Sequence, residues 1–266
     1  MRQCSIGVFA VAVMWMAGVS PSMAQSVAKA DVPEIVTDRP DFTESSQVIP
    51  AGWFQVESGI SFEGDSAVRA LTAPAALLRI GLGHRAELRL GAEGFLSESV
   101  GDIRHSGRSD IEIGAKYKVF DQETRGFDFA LLPIVSLPTG AAGFSSGGVD
   151  PTLKLTWGRD LPAGFGLTGN VNVSSLTEDG TRFHQEAVSV SVGHDLAFGF
   201  GGYAEVYGFT KMSAVDGAGV TFNGGVSRVL GRHVQIDVEA GRGLSSLAPD
   251  WFVGFGVAVI SHQPRR

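Results

Sequence analysis

Ionisable side chains recur at every second position of several short segments of the chain. Near residue 90, Glu87, Arg89 and Glu93 alternate with Leu88 and Leu90. Residues at that spacing share one face of an extended strand, because strand side chains point alternately to opposite faces. Two interpretations stay open for such a face, a salt-bridged filling and a polar conduit. The candidates for this inward face are Glu57, Glu87, Arg89, Glu93, Glu112, Lys116, Lys118, Asp237 and Glu239.

Motifs for catalysis are weak in comparison. Residues 143–147 match the G-x-S-x-G pattern, which needs a strand before the serine and a helix after it, whereas Thr139 to Gly148 has the composition of a Gly/Ser-rich loop. Six histidines are scattered singly, and none has the spacing of a zinc-binding helix. We therefore predict no catalytic residues, no metal and no cofactor. A lipid hydrolase built into a barrel wall stays open as the least favoured alternative.

The elements that would position the charged face are short strands. From residue 52 onward, about ten residues of alternating apolar and polar or small type are followed by a break rich in Gly, Asp, Ser or Pro. An even number of antiparallel strands leaves both chain ends on one side of a membrane. About twelve such segments begin near Gly52, Val68, Arg85, Ser109, Gly126, Val149, Gly164, Phe183, Gly199, Gly219, His233 and Trp251.

The composition excludes a bundle of transmembrane helices. Hydrophobic residues make up 44% of the 266 residues and charged residues 18%, but no long apolar run follows residue 25. A spanning helix needs about 20 consecutive apolar residues, whereas a closed barrel satisfies all backbone groups without one. We predict an all-β fold, an antiparallel transmembrane β-barrel of about 12 strands. Interfacial girdles are expected from the aromatic residues at strand ends: Trp53, Phe54, Phe62, Phe95, Tyr117, Phe120, Trp157, Phe165, Trp251 and Phe252.

The breaks between strands differ in length. Compact breaks such as Gly81 to His84 and Asp121 to Arg125 alternate with longer ones at Ser97 to Arg108, Thr139 to Gly148 and Leu244 to Asp250. Short periplasmic turns opposite long outer loops are typical of outer-membrane barrels. We therefore predict that the three long breaks are outer loops.

The first residues have the pattern of a signal peptide. Arg2 precedes an apolar run from Ile6 to Val19, and small residues follow up to Ala24, after which we predict cleavage. Cys4, the only cysteine, lies inside this segment. The predicted division is a signal peptide over 1–24, a periplasmic or lumen-facing segment over 25–50, a barrel over 51–262 and a tail over 263–266.

The net charge is −7, and the sequence has no cluster of basic residues beyond its last two arginines. Binding to nucleic acid depends on a basic face, so we predict no nucleic-acid partner. The expected surroundings are outer-membrane lipid and small-molecule solutes.

The stretch Thr37 to Ser45, TDRPDFTES, resembles the opening of a family of outer-membrane transporters assigned to the MetA pathway of phenol degradation. Further matching positions are Val48, Pro50, Gly52, Gln55, Val56, Glu57, Gly59, Leu78, Arg79, Gly81, Glu87, Leu88, Arg89, Pro133, Leu137, Pro138, Thr139, Gly140, Gln235, Asp237, Gly241 and Gly243. The resemblance implies an outer-membrane β-barrel, inserted by the outer-membrane assembly machinery, that moves small molecules, aromatic or hydrophobic compounds among them. It implies no catalytic residues.

The family motif at Asp38, Arg39, Pro40 and Asp41 precedes the first predicted strand. Because Pro40 stops a helix, we expect this segment to fold into or under the barrel. Its three charged residues could pair with interior charges such as Glu57, Glu87 or Arg89. The alternative is an ordered periplasmic cap.

The leading functional hypothesis is a passive outer-membrane pore for small molecules. The rival is a closed structural or surface-display barrel whose loops at Ser97 to Arg108 and Thr139 to Gly148 bind partners. The two hypotheses differ in whether the lumen is open.

Overall fold

The structure is a computed structural model that describes residues 32–65 and 68–263. This part of the chain contains β-strands, one helical turn, α1 (Gln122–Arg125), and two 3-10 turns, Pro162–Gly164 and Ala197–Gly199. The strands are β1 (Trp53–Gly64), β2 (Val68–Gly81), β3 (Ala86–Glu93), β4 (Leu96–Val100), β5 (Ile103–Gly107), β6 (Ile111–Phe120), β7 (Asp128–Leu137), β8 (Asp150–Leu161), β9 (Phe165–Glu178), β10 (Thr181–Asp195), β11 (Phe200–Phe209), β12 (Gly219–Leu230), β13 (Val234–Gly243) and β14 (Trp251–His262).

The strands form one closed antiparallel sheet. Consecutive strands pair, except that β2 pairs with both β3 and β4 and that β3 pairs with β6, and β1 closes the ring by pairing with β14 as well as with β2. Closure gives every described strand two neighbours except β5, which pairs with β4 alone, and a spanning barrel requires such closure because lipid offers no hydrogen bonds. We use the word stave for one strand of the barrel wall, whether it is continuous or interrupted. In the described residues the ring has twelve staves, because β3 with β4 and β5 with β6 each form one interrupted stave. The predicted fold class is confirmed.

The two interruptions correct one prediction. Ser97 to Arg108 was expected to be an outer loop, but β4 and β5 form a hairpin there that extends the barrel wall. Backbone hydrogen bonds bridge the breaks, from Ala73 to Phe95 (2.8 Å) and from Ser109 to Glu93 (3.0 Å). The segment lacks apolar alternation because the outward face of a barrel needs apolar residues only where it meets lipid.

Side chains alternate between an apolar outward face and a largely polar inward face. In β13, Gln235, Asp237 and Glu239 are buried, whereas Ile236 is exposed. The exposed outward side chains form an apolar belt, as a lipid-facing wall requires. It includes Val56, Ile60, Leu90, Ile113, Leu153, Val171, Val173, Val188, Val190, Val192, Val206, Phe222, Val226, Phe255, Val257 and Val259. The described chain has no helix long and apolar enough to cross a bilayer.

Aromatic residues near the strand ends divide between the two faces. Tyr117, Phe165 and Trp251 are exposed on the outward face, as a girdle requires. Trp53 and Phe252 were expected in the girdle too, but both share the inward parity of their strands. Trp53 is buried and stacks edge-on against His262, with ring centroids 4.9 Å apart. A strand-end aromatic therefore does not reveal its face unless the parity of the whole strand is known.

The two ends of the barrel differ. One end, which we call the turn end, carries the compact connections 82–85, 121–127, 162–164, 196–199 and 231–233. The opposite end, the loop end, carries connections that include residues 138–149, 210–218 and 244–250. The predicted signal peptide, residues 1–24, lies outside the described residues, and the proposed domain boundaries stay predictions.

Candidate functional site: a lumen crossed by an inner segment

Residues 33–50, here called the inner segment, lie inside the barrel. Their polar groups contact Glu57 on β1, Arg89 on β3 and Lys154 on β8. They also contact Glu205 on β11 and Asp237 on β13. These strands are spread around the ring, and only a segment within the cylinder can reach all of them.

One side of the lumen holds the inner segment through ion pairs. Arg79 on β2 is fully buried, with its guanidinium 3.1 Å from Glu57, 2.9 Å from Glu87 and 3.2 Å from Asp38. It also donates to the carbonyls of Val36 (3.0 Å) and Gln47 (3.1 Å). We call the set Arg79, Arg89, Lys116, Asp38, Glu44, Glu57 and Glu87 the anchor network.

Arg89 and Lys116 complete the anchor network. Arg89 pairs with Asp38, with Glu87 (3.0 Å) and with Glu44 (3.2 Å). Lys116 is fully buried, lies 3.0 Å from Asp38 and donates to the carbonyl of Ser45 at 2.6 Å. Because every buried charge has opposite partners and further hydrogen bonds, the desolvation cost of burying these ions is offset.

The electrostatics of the inner segment follow from these cations. Burial alone would raise the pKa of Asp38, but the charges of Arg79, Lys116 and Arg89 outweigh it and hold the pKa well below its usual range. Burial likewise opposes ionisation of Glu44, yet Arg89 and Lys154 lower its pKa to about 2. Both carboxylates are therefore charged and fixed in place at neutral pH.

The other side of the lumen holds the middle of the segment differently. Asp41, Phe42 and Thr43, here called the tip, reach β10 and β11 across the barrel. The backbone N–H groups of Phe42 and Thr43 donate to the Glu205 carboxylate at 2.9 and 2.7 Å, and the Thr43 hydroxyl donates to it as well. The Phe42 ring stacks on Tyr207 with centroids 4.5 Å apart.

Asp41 lies in an acidic environment. Its burial and the negative charge of Glu205 raise its pKa well above the usual range, against a hydrogen bond from Ser191 that favours the charged form. No ion pair to Asp41 or Glu205 is formed by the described residues. The tip is thus held by hydrogen bonds and ring contacts, not by opposite charges.

Arg39 occupies a seat at the junction of the first and last strands. Its guanidinium lies 3.5 Å from Asp237 and from the carbonyl of Phe255. Gly59 on β1 and Gly256 on β14 are paired in register, and a Cβ at either would overlap the guanidinium. Glycine at these two positions is therefore what leaves room for the Arg39 side chain.

Cavities lie on both sides of the inner segment. Toward the loop end are one of about 440 Å³, the slot cavity, and one of about 700 Å³, the mouth cavity, which share Glu93, Phe144 and Ser146. Toward the turn end are cavities of about 590 and 550 Å³. Arg39 lines both the slot cavity and the 550 Å³ cavity, so the two halves of the lumen meet at this residue.

The residues predicted for the inward face all have inward parity, but they have different surroundings. Glu57, Glu87, Arg89 and Lys116 belong to the anchor network. Lys118 pairs with Asp121 and Asp128, both at 3.0 Å, near the turn end. Asp237 faces Arg39, Tyr203 donates to Glu239 at 3.4 Å, and Glu93 and Glu112 line the slot cavity.

The family motif binds partners that differ in part from those expected. Asp38 pairs with Arg89 as expected, but Arg39 faces Asp237 rather than Glu57 or Glu87, and Asp41 lies beside Glu205. Pro40 lines the 550 Å³ cavity. The partners of Arg39 and Asp41 lie on strands far along the chain, which become neighbours of the segment only when the barrel closes.

Arg79, Glu44 and Glu205 were not among the selected site residues, although all three contact or form part of the inner segment. Arg79 had a signal in the sequence, because it is the only charge in the predicted strand stretch from Ala70 to Ile80. A single arginine within an apolar segment is costly unless it has a buried partner.

The G-x-S-x-G stretch lies in the loop 138–149, and the next element is strand β8 rather than a helix. Asp110 holds this loop by accepting hydrogen bonds from the backbone of Gly140 (2.7 Å) and Ser146 (2.9 Å). The context of a nucleophile elbow is therefore absent here. In the described residues, no group of three or more His, Cys, Asp or Glu is arranged to hold a metal ion.

Comparisons with known proteins agree with this architecture. An outer membrane channel from Pseudomonas putida F1 is similar over 82% of this chain and 98% of that chain, with a TM-score of 0.64 and 13% identity. The NanC porin is similar over 79% of this chain and 100% of that chain, with a TM-score of 0.50 and 10% identity. At these identities the likeness shows the fold alone. None of the curated proteins searched matches the sequence.

A sequence profile of the family described as "Putative MetA-pathway of phenol degradation" matches residues 37–260. The match begins at the first residue of the TDRPDFTES stretch and extends into the last strand, so it includes most of the inner segment and nearly the whole barrel. It confirms the resemblance seen in the sequence. The chain belongs to the MetA-pathway of phenol degradation family.

Proposed function

We propose that the protein is a passive outer-membrane channel for small molecules, including aromatic ones. Support comes from the apolar outward belt, the polar lumen, the membership of the phenol-degradation family, and the channel and porin that share the fold. The expected surroundings are outer-membrane lipid and, during biogenesis, the export and assembly machinery. Passive movement through such a barrel needs no cofactor.

The observation that carries the proposal is the division of the lumen. Substantial cavities lie on both sides of the inner segment, and Arg39 lines one cavity on each side. Its guanidinium is held by contacts of 3.5 Å, at the long limit of a hydrogen bond, whereas the anchor network has contacts near 3 Å. The route that needs the smallest rearrangement therefore passes Arg39.

The rival is a closed barrel without transport. The density of buried ion pairs in the anchor network favours it, because an inner segment held this firmly fills much of the lumen. In this reading the loop-end connections would bind partners. The hairpin formed by β4 and β5 and the pinned loop 138–149 would then be the contact surfaces.

Planar-bilayer recording and liposome swelling on the purified protein separate the two functions. A channel gives a steady current and admits sugars, amino acids or phenolic acids, whereas a closed barrel gives neither. A variant lacking residues 33–46 tests the segment. An increased conductance would show that the segment obstructs the passage, and an unchanged conductance would remove it from the pathway.

A further inference from the structure

The slot cavity has an apolar half that is unusual for a polar lumen. Leu77 on β2 and Ile134 on β7 both point inward, and between them lie the inward positions of Gly91 on β3 and Gly114 on β6. Leu77 pairs with Gly91 and Ile134 pairs with Gly114. Across β3 and β6, Gly91 pairs with Glu112 and Gly114 pairs with Arg89, so the two glycines are diagonal neighbours, and the Ile134 side chain lies over Gly114. They leave a groove whose floor is Gly91, between Leu77 and Ile134.

The loop 138–149 covers this groove. The ring of Phe144 lies against Gly107 so closely that a Cβ there would overlap it, and Ala141 packs beside the same glycine. Asp110 pins the loop through the backbone of Gly140 and Ser146. The cover is therefore held in place, and the groove with its cover forms a slot of about 440 Å³, within the range of small-molecule sites.

The polar rim of the slot is rich in acceptors. Glu112 lies over the floor, since a Cβ at Gly91 would be 3.6 Å from its carboxylate, and Glu93 lines the same cavity. Neither residue forms an ion pair within the described chain. Asp110 has both oxygens occupied by backbone donors. A ligand entering the slot therefore meets two carboxylates that lack a counter-charge.

The cations of the slot are already balanced. Arg89 is paired with Asp38, Glu87 and Glu44, and Arg39 with Asp237. The adjoining mouth cavity is lined by Glu63, Glu93, Glu98, Glu178 and Asp179 and by no basic residue. Arg104 reaches its wall through a 2.7 Å hydrogen bond to Ser97 but does not line the cavity. Approach from the loop end therefore repels anions.

We propose that the slot cavity binds a flat apolar ring that carries a cationic or hydrogen-bond-donating group, and that it excludes the same ring carrying a carboxylate. The ring lies over Gly91, between Leu77 and Ile134 and under Phe144. The donor group faces Glu93 and Glu112. The inference rests on the proposed function only in that the ligand reaches the slot through the lumen.

Benzamidinium and benzoate are matched probes, because they have the same ring and nearly the same shape but opposite charge. Acetamidinium and acetate repeat the charge comparison without the ring. Isothermal titration of the full protein in detergent measures binding without requiring conductance. We expect benzamidinium to bind on the order of tenfold more tightly than either benzoate or acetamidinium.

Two variants locate the binding. Gly91→Leu fills the floor, where a Cβ meets only ordinary contacts, and should abolish the preference for the ring. Its control is Ala115→Leu on the outward face of β6. The double variant Glu93→Gln, Glu112→Gln should bring the ratio of the two charges toward one, and Glu123→Gln in the turn-end helix is its control.

Equal or tighter binding of benzoate would overturn the proposal, and so would a preference for benzamidinium over acetamidinium that survives Gly91→Leu. Binding of benzamidinium by a barrel that passes no current would leave the site standing and remove the channel. Conductance without this selectivity would do the reverse. Refolded variants are compared by the heat-dependent gel shift typical of barrels, so that loss of binding is scored only for closed barrels.

Discussion

The two sides of the barrel wall hold the inner segment by different interactions. On the anchor side, four carboxylates face three buried cations, and Lys154 adds a fourth cation that pairs with Glu44. On the tip side, Asp41 and Glu205 face each other without a cation, and ring stacking and hydrogen bonds hold the chain. Compensated charge fixes the segment on both sides of the tip, at Asp38 and at Glu44, whereas the tip itself is held by contacts that can be exchanged for water. We therefore expect the tip to release before the anchor.

Removing Arg79 should have the largest effect. Arg79→Met leaves Glu57, Glu87 and Asp38 buried with one cation fewer, and breaking a buried pair in this way costs about 3–5 kcal/mol. Urea unfolding of the detergent-solubilised barrel measures the loss. Arg85→Ala is the control, because its pair with Asp121 is largely exposed and should contribute less than about 1 kcal/mol. Equal losses in both variants would contradict the compensated anchor.

Glu205→Ala should release the tip while leaving the anchor intact. It deprives two backbone donors, Phe42 and Thr43, of their acceptor, at a cost of about 2 kcal/mol that outweighs the relief of repulsion on Asp41. Hydrogen exchange of the Phe42 and Thr43 amides should become roughly 30-fold faster, while the amides of Asp38 and Ser45 keep their protection. Glu186→Ala, at an exposed position of β10, is the control. An equal increase in hydrogen exchange throughout the inner segment would contradict the distinction between the anchor network and the tip.

The stability of the anchor network and that of the tip should respond to pH in opposite directions. The pKa of Asp38 is lowered by docking, so its contribution is present above the ordinary value of about 3.9 and is lost as the pH falls through the folded pKa. The pKa of Asp41 is raised, so its contribution is full below that ordinary value and is lost as the pH rises through the folded pKa. Protection factors of the two stretches, measured between pH 3 and 8, test this contrast, and Asp41→Asn should remove the tip's response.

The smallest effect should come from the ring stack. A double-mutant cycle of Phe42→Ala and Tyr207→Ala should give a coupling energy of about 1 kcal/mol for docking of the tip. Phe42 also meets Phe209 edge-on at 5.3 Å, so a residual contribution should survive in the Tyr207→Ala variant. A coupling energy of zero would show that stacking on Tyr207 does not stabilise the docked tip.

The barrel was readable from the sequence because its wall obeys a local rule. Period two in stretches such as Gln235 to Glu239 follows from lipid on one face and water on the other, and β2, β12 and β14 begin at the residues predicted. The interruptions near Gly94 and Ser109 were missed because a break in a stave shifts the parity, and beyond the lipid belt there is no apolar face to register the shift.

The interior pairings could not be predicted to the same degree. That Arg39 meets Asp237 and that Phe42 meets Tyr207 depends on which staves lie opposite each other after closure, and the sequence contains no local sign of this. The charge alternation identified Glu87, Arg89 and Lys116 as inward but could not tell compensated charges from the unpaired Glu93 and Glu112. Arg79 shows that an isolated charge in an apolar strand stretch indicates a buried ion-pair partner.

The seat of Arg39 has a consequence for biogenesis. Half of it is Gly59 in the first strand and half is Gly256 in the last, so the niche does not exist until the two termini of the wall have zipped together. A barrel in which β1 and β14 have not yet paired has no niche for the Arg39 side chain. Burial of the Arg39 side chain therefore requires that β1 and β14 have already paired.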